Sequence, residues 1–548
     1  MKLSLSLQKY ICISILFSIN IILSTTFVIY SNYWYAYIGV LAFASILNSS
    51  SVILLIYDRI RKKIPYDKLY RTTSRSYLYI IPTYNESAEE LELSLNSLSN
   101  QRTLQNDIYS FCIICDGQVK GNHASISTDN ILKNILKNYD NPIIFNYITG
   151  DTKTNTIELY RGFYKDIPYL LIVKLQNFGK RDSLVLIRRL AYLYNERINT
   201  HPLISSELLT YTESYFEEIY SSKIDYMIGI DADTQFEYDC SYELIKQIEL
   251  WKDDTVVGCV GIVDIDLSID KYSFGVAYQY AEYMFAQCLK RQTQSKITHK
   301  VNCLSGCNQI LKICAETCGE KILSKFNNSP QSEANIFAHI RAYASEDRNH
   351  VCLMHSIYPH TKTIQALKAI ALTRVPTTIK VFASQRRRWS LGASSNDLLL
   401  IYLPGINFAE RISAFVNLLT YCLNPFIFVA TIVFLYNIIT NPSYLMLLLS
   451  IIMLIPLGYA LLIPIFIRPL IFRDAMYYYL SLIIFLTCGS LINLCIYFYS
   501  LCNMDVLTWG KTRIIDKSSQ IKIIENNTIS ETYDNASFQE DSLSTTCG

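Results

Sequence analysis

Residues 225–233 read DYMIGIDAD. Tyr226–Ile230 is a short apolar run that stops at two carboxylates, Asp231 and Asp233, with Ala232 between them. A run this short, ended by polar residues, suits a strand buried on both faces better than one stripe of a helix. Such strands belong to parallel sheets covered by helices on either side. Acidic side chains on the turn after a buried strand suit a hard cation, which takes oxygen ligands. Alone, an Asp-x-Asp triplet says little: a second stands at Asp264-Ile265-Asp266, and a solvated turn explains an isolated one equally well.

The neighbouring sequence repeats the pattern. Apolar runs at 77–81, 110–115, 142–147, 170–174 and 256–263 are further strand candidates, with helical patterns at about 88–99, 125–138, 181–197 and 241–251. Strands alternating with helices predict a mostly parallel α/β sheet, with ligands at the carboxyl ends of its strands. Those ends are polar: Pro82-Thr83-Tyr84-Asn85-Glu86 after the first, Asp116-Gly117 after the second, Lys174 at the end of another. No G-x-G-x-x-G or P-loop follows any strand, which argues against a dehydrogenase or P-loop NTPase. Residues 200–224 and 316–340 are expected to be surface insertions.

Basic residues supply the complement. Lys180 and Arg181 enter a helix after Gly179, where a helix N-terminus favours anions. Gln385-Arg386-Arg387-Arg388-Trp389 offers guanidinium forks for phosphate oxygens and an indole face for a sugar ring. The competing reading of the arginines is a topological mark on the cytosolic flank of a membrane span. Within Ser345-Glu346-Asp347-Arg348, a carboxylate can serve as general base toward a hydroxyl or pair with Arg348 at the surface.

The chain of 548 residues is 51% hydrophobic and 13% aromatic, with a mean hydropathy of +0.19. Apolar runs at 10–30, 34–57, 412–438, 443–467 and 475–501 are each long enough to span a bilayer as a helix. This predicts residues 1–57 as an N-terminal transmembrane hairpin, 58–405 as a cytosolic domain, 406–503 as a C-terminal membrane region and 504–548 as a polar tail. The basic run Asp58–Lys63 places the domain in the cytosol. The sixteen cysteines suit reduced thiols there, and Cys112 and Cys115, three apart on a strand, point to opposite faces. A net charge of +2 gives no argument for nucleic-acid binding.

Jointly, Asp116-Gly117, Asp231-Ala232-Asp233, Glu346-Asp347-Arg348 and Gln385–Trp389 resemble the processive, membrane-embedded members of glycosyltransferase family 2. GKRDS at 179–183, CLSGC at 303–307 and Thr508–Arg513 (TWGKTR) narrow the resemblance to chitin synthases, over about Tyr77 to Arg513. The Ile-, Asn- and Tyr-rich composition and compact length would suit a microsporidian member. The resemblance implies an α/β GT-A fold and inverting transfer of GlcNAc from UDP-GlcNAc to the non-reducing end of a growing β-1,4 chitin chain. It implies that Pro82, Tyr84, Glu86 and Asp116 flank the uridine, with Lys174 near the nucleotide. Asp231 and Asp233 hold the donor and Mg²⁺ or Mn²⁺, with Asp233 favoured as direct ligand. Asp347, beside Glu346, is the base; Cys303 and Gly306 belong to the acceptor-side loop. Gln385, Arg388 and Trp389 hold diphosphate and acceptor. A tail on the cytosolic side would let Trp509 and Arg513 close over the nucleotide. The implied enzyme is multi-pass in the plasma membrane, and a homodimer is compatible with it. Fungal members usually carry proline in the acceptor-side loop where this chain has Ser305, which predicts a looser loop. A hyaluronan- or cellulose-type synthase, and a non-catalytic nucleotide-sugar-binding membrane protein, remain alternatives.

Basic residues flank 475–501 on both sides, at Arg468 and Arg473 and again at Lys511, Arg513, Lys517 and Lys522. A cytosolic tail reached through a re-entrant break near Cys488-Gly489 would reconcile both flanks.

Overall fold

A computed structural model describes residues 4–37, 42–61, 70–120, 126–268, 270–328, 330 and 334–506. The expected strands form β1 (Ser76–Thr83), β2 (Ile108–Asp116), β3 (Ile143–Ile148), β5 (Ile167–Lys174), β6 (Tyr226–Gly229) and β8 (Val256–Ile265). Four more join them: β4 (Thr154–Tyr164), β7 (Thr234–Phe236), β9 (Gln309–Lys312) and β10 (Lys362–Thr373). They make one sheet in the order β3-β4-β5-β2-β1-β6-β9-β8-β10-β7. β5, β2, β1 and β6 run parallel, as do β8 and β10. The other five pairings are antiparallel, so the sheet is mixed rather than mostly parallel. The α/β class stands; every antiparallel contact involves β4, β7 or β9, three of the four strands that the apolar runs did not predict.

Alternation along each strand separates two cores. Tyr79, Ile81, Ile113 and Cys115 face one layer, and Leu78, Ile80, Cys112 and Ile114 face the other. Cys112 and Cys115 therefore pack on opposite faces, and no cysteine among the described residues is in a disulfide. Each large apolar side chain buried here contributes roughly 1.5–3 kcal/mol. Helices cover both faces at Ala88–Ser99, Thr128–Leu136, Lys180–Asn195 and Cys240–Leu250, close to the expected bounds. Residues 200–224 and 316–340 are not surface insertions. The Ser206–Tyr220 helix buries Leu208, Tyr215, Phe216 and Tyr220 in the second core, and Glu320–Phe326 buries Ile322, Leu323 and Phe326.

Leu5–Ile29, Phe43–Arg61, Tyr444–Ile467 and Phe472–Cys502 are long and apolar enough to cross a membrane. Phe408–Cys422 and Asn424–Thr440 form a pair bent by 79°. Pro425 stands in the first turn of the second helix, where its ring blocks continuation from the preceding turn. Asn20 of the first helix takes up both freed groups: its amide donates to Cys422 O at 2.9 Å, and Phe426 N donates to its Oδ1 at 3.0 Å. The break expected at Cys488-Gly489 is absent. Phe472–Cys502 runs 31 residues unbroken, and Gly489 lies buried against Tyr278.

Both ends of this helix meet the globular part of the chain. Before it, Arg468 pairs with Asp264 at 2.6 Å, so the second Asp-x-Asp triplet anchors membrane helices. At its end, Leu501 and Met504 pack with Ile336 and Leu391, and Asp505 pairs with Lys9 at 2.8 Å.

Candidate active site

Strand register brings the polar strand ends to one edge. Thr83 pairs with Cys115, Asp116 with Lys174, and Ile80 with Gly229, so Tyr84, Asp116 and Asp231 emerge beside one another. Gly117 turns the chain with φ +89°, and a Cβ there would lie 3.1 Å from Asn177 Cβ. Tyr84 N donates to Glu86 at 2.7 Å, which closes the Pro82–Glu86 loop. Burial, with the charge of Asp116 behind it, raises the Tyr84 phenol.

Lys174 lies beneath this edge. Its ammonium has no exposure and sits 2.6 Å from Asp116 and 2.9 Å from Asp182. Burial works against the charged form, but the two carboxylates outweigh it and raise the Lys174 pKa. A fully enclosed ammonium positions Asp116 and does not itself face a ligand.

At the centre, Lys180 Nζ lies 2.5 Å from Asp231 Oδ1 and 3.8 Å from Glu346 Oε1. Glu346 and Asp347 open the Glu346–Ile357 helix. Gly306 N donates to Asp347 Oδ2 at 2.7 Å, whereas Asp347 Oδ1 is buried with no hydrogen-bond partner. Burial pushes the Asp347 pKa up to about 6 against the pull of Lys180, with Glu346 and Asp231 adding to the rise. Glu346 is held below the ordinary range: burial opposes this, but Lys180 and Arg388 prevail. The two neighbouring carboxyls are thus driven apart, as in sites where one acts as base and the other stays ionised.

The loop under Asp347 is fixed by Asn308. Its side-chain amide donates to Ile262 O at 2.9 Å and Ala369 O at 3.0 Å, bridging the irregularity between β8 and β10. Asn308 N closes the Cys303–Cys307 loop onto Ser305 O at 3.0 Å. Arg348 lies beside the Cys303 thiol and pairs with Asp397 at 3.6 Å, so it does not bind its neighbour Asp347. Arg181 reaches Phe326 O and Arg341 O at 2.7 and 2.6 Å; it ties loops together and is not held out for an anion.

The three arginines of 386–388 diverge. Arg386 pairs with Glu282 at 2.5 Å, Arg387 is buried within the influence of Tyr499 and Asp505, and Arg388 alone acts on Glu346. Trp389 is 39% exposed, and Gln385 keeps a buried carbonyl oxygen without a partner. Trp509 and Arg513 lie outside the described residues.

Asp231 is one-third exposed and Asp233 is exposed on the turn before β7. Among the described residues no group of three or more His, Cys, Asp or Glu side chains is arranged to hold a metal. Mg²⁺ commonly takes one or two carboxylates and completes its shell with water and substrate phosphates. The pair therefore fits a cation arriving with a diphosphate, not a resident structural ion. The strand-end acids Asp116, Asp231 and Asp233 and the pair Glu346 and Asp347 were legible in the sequence; Asn308, Glu282, Asp397 and the pairing of Lys180 with Asp231 were not. GKRDS was the available signal for Lys180; nothing local marked the other three.

An α/β sheet with clustered strand-end acids, seated on membrane-length helices, defines a membrane glycosyltransferase. The family model described as chitin synthase matches residues 51–543, and the chain belongs to the chitin synthase family. It is 34% identical to chitin synthase 8 of Gibberella zeae over 79% of this chain and 66% of that one. It is 31% identical to chitin synthase 8 of Verticillium dahliae over 78% and 74%, and 27% identical to chitin synthase Y of Aspergillus oryzae over 81% and 25%. It thus spans about two thirds of the first relative's length and a quarter of the third's. Among solved structures, mannosyltransferase PcManGT from Pyrobaculum calidifontis, in complex with GDP-Man and Mn²⁺, aligns with 82% of this chain and 99% of its own at 12% identity and TM-score 0.41.

Proposed function

We propose that this chain is a chitin synthase that transfers GlcNAc from UDP-GlcNAc, with inversion, to the 4-hydroxyl at the non-reducing end of a growing chain and passes the polymer across the membrane. The observation that carries this is Asp347. One oxygen is held by Gly306 N–H, the other is unpartnered, and its pKa is pushed up to about 6 beside an ionised Glu346. A base needs this poise near neutral pH.

In this reading Pro82, Tyr84, Glu86 and Asp116 bound the uridine, and Lys174 fixes Asp116 from below. Asp233, with Asp231, binds the donor diphosphate and the Mg²⁺ or Mn²⁺ that accompanies it. When bound, that cation offsets charge on the leaving diphosphate. Lys180 keeps Asp231, Glu346 and Asp347 together by supplying positive charge among them. Arg388 and Gln385 face the diphosphate, Trp389 gives the acceptor sugar an apolar face, and Cys303 and Gly306 form the loop that aligns the base. Residues 1–57 and 406–503 make the membrane part and 58–405 the catalytic part. Arg59 and Arg61 at the end of the second helix support a cytosolic catalytic side, with the plasma membrane as site.

The test supplies UDP-GlcNAc, UDP-glucose or UDP-GlcA singly to the detergent-purified full chain with Mg²⁺ or Mn²⁺. UDP release and chitinase-sensitive polymer are recorded beside Asp347→Asn. Polymer from UDP-GlcNAc alone, lost in the variant, is expected. Polymer from another donor, or no turnover, overturns the assignment.

A further inference from the structure

Arg386 is 4% exposed, and arginine keeps its charge at any working pH. Such a cation stays buried only beside a countercharge. Glu282, on the Phe274–Phe285 helix, accepts from Arg386 Nη2 at 2.5 Å, and Gln279 of the same helix accepts at 3.3 Å. Gln279 is itself pinned, donating to Pro376 O at 3.0 Å. The guanidinium carbon lies 4.4 Å from the Trp389 ring centroid, 5.0 Å from Phe382 and 5.6 Å from Tyr283. Tyr283 adds a tilted contact to the indole at 5.9 Å. Trp389 is thus clamped on one side by a cation and a ring, while its remaining exposure faces outward.

We propose that Glu282 is a positioning residue for Trp389, acting through Arg386. Two successive links make the chain: the carboxylate holds the guanidinium in place, and the guanidinium holds the indole through a cation–π contact. Without the Glu282 charge the guanidinium turns toward water, and the indole loses the side that sets its angle. The acceptor sugar then meets a mobile platform while the uridine-side residues Tyr84 and Asp116, carried by strand ends, are untouched. This inference rests on the reading of Trp389 as the acceptor platform.

The experiment compares the full chain in detergent with Glu282→Gln, Trp389→Ala and the double variant. It measures KM for UDP-GlcNAc, UDP release and the length distribution of the product. Glu282→Gln is expected to leave the donor KM within about twofold and to shorten the mean product roughly 2- to 30-fold, the range of one cation–π contact. The double variant should match Trp389→Ala alone. Wild-type product lengths from Glu282→Gln, with shortened products from Trp389→Ala, overturn the positioning role. Wild-type lengths from Trp389→Ala overturn the platform reading itself. Should Glu282→Gln fail to fold, Arg386→Lys, which keeps the charge pair but loses the planar cation over the indole, must also shorten the product; unchanged lengths overturn the proposal.

Discussion

Gly306 N donates to Asp347 Oδ2 at 2.7 Å, and a Cβ on Gly306 would lie 2.9 Å from Asp347 Oδ1 and 3.2 Å from Lys180 Nζ. The glycine is required by space: it lets a backbone amide reach the carboxylate while the lysine passes alongside. Gly306→Ala should displace the carboxylate and lower kcat by about 10²-fold, the cost of a misplacement near 1 Å. The melting temperature should change little, since the displaced atoms are side-chain ends. Steady-state UDP release and thermal unfolding check both halves.

Asp347 must be ionised to take a proton, so kcat/KM should fall on the acid side with an apparent pKa near its value of about 6. Stability has the opposite sign. The folded pKa lies above the ordinary aspartate value of about 3.9, so the folded state binds the proton more tightly. That contribution is present below about pH 4 and is lost as pH rises through about 6. Asp347→Asn should therefore lose about 10²–10⁴-fold in rate and unfold no earlier than the parent at pH 7.5. An acid limb near pH 4, or a destabilised variant, would contradict the assignment.

Lys174 is enclosed between Asp116 and Asp182. Lys174→Met leaves two buried carboxylates without their cation, and breaking such a group costs about 3–5 kcal/mol. Denaturant unfolding should show that loss, with UDP binding weakened through Asp116. Unchanged stability with weakened UDP binding would instead make Lys174 a direct ligand.

Asn20 completes the bent pair at Leu423 from a neighbouring helix. Asn20→Leu orphans Phe426 N in apolar surroundings, at about 1–3 kcal/mol, and leaves Cys422 O with the Tyr497 hydroxyl at 3.2 Å. Thermal unfolding in detergent should move down.

Leu501, Met504 and Asp505 end the last long helix against Ile336, Leu391 and Lys9. The tail beyond them is therefore expected on the catalytic side of the membrane. Asn526 and Asn535, each in an Asn-x-Ser/Thr sequon, should stay unglycosylated in a eukaryotic host. A shift on glycosidase treatment, abolished by Asn526→Gln and Asn535→Gln, would put the tail on the other side.

Local pattern was enough for the central strands, the covering helices, the membrane segments and the acids at the strand ends. These follow from the period and length of apolar runs, which each segment carries within itself. The mixed character of the sheet did not follow: β7 and β9 are too short to show a period and owe their place to partners far along the chain, and the longer β4 mixes polar and apolar residues with no continuous apolar run. The position of the helix break went the same way. None forms at Gly489, and a bend that local pattern did not show arises in another segment at Pro425, where Asn20, some 400 residues distant, satisfies the freed backbone.

The acids show most clearly where local reading ends. Asp231, Glu346 and Asp347 are visible in the sequence as carboxylates, yet what each can do depends on its neighbours. One lysine lies 2.5 Å from the first and 3.8 Å from the second, and one glycine amide reaches the third. The three arginines of 386–388, alike in sequence, part company because a helix turns each toward a different partner. Residue type is a local property; ionisation, orientation and enclosure arise only when distant segments share one low-dielectric space.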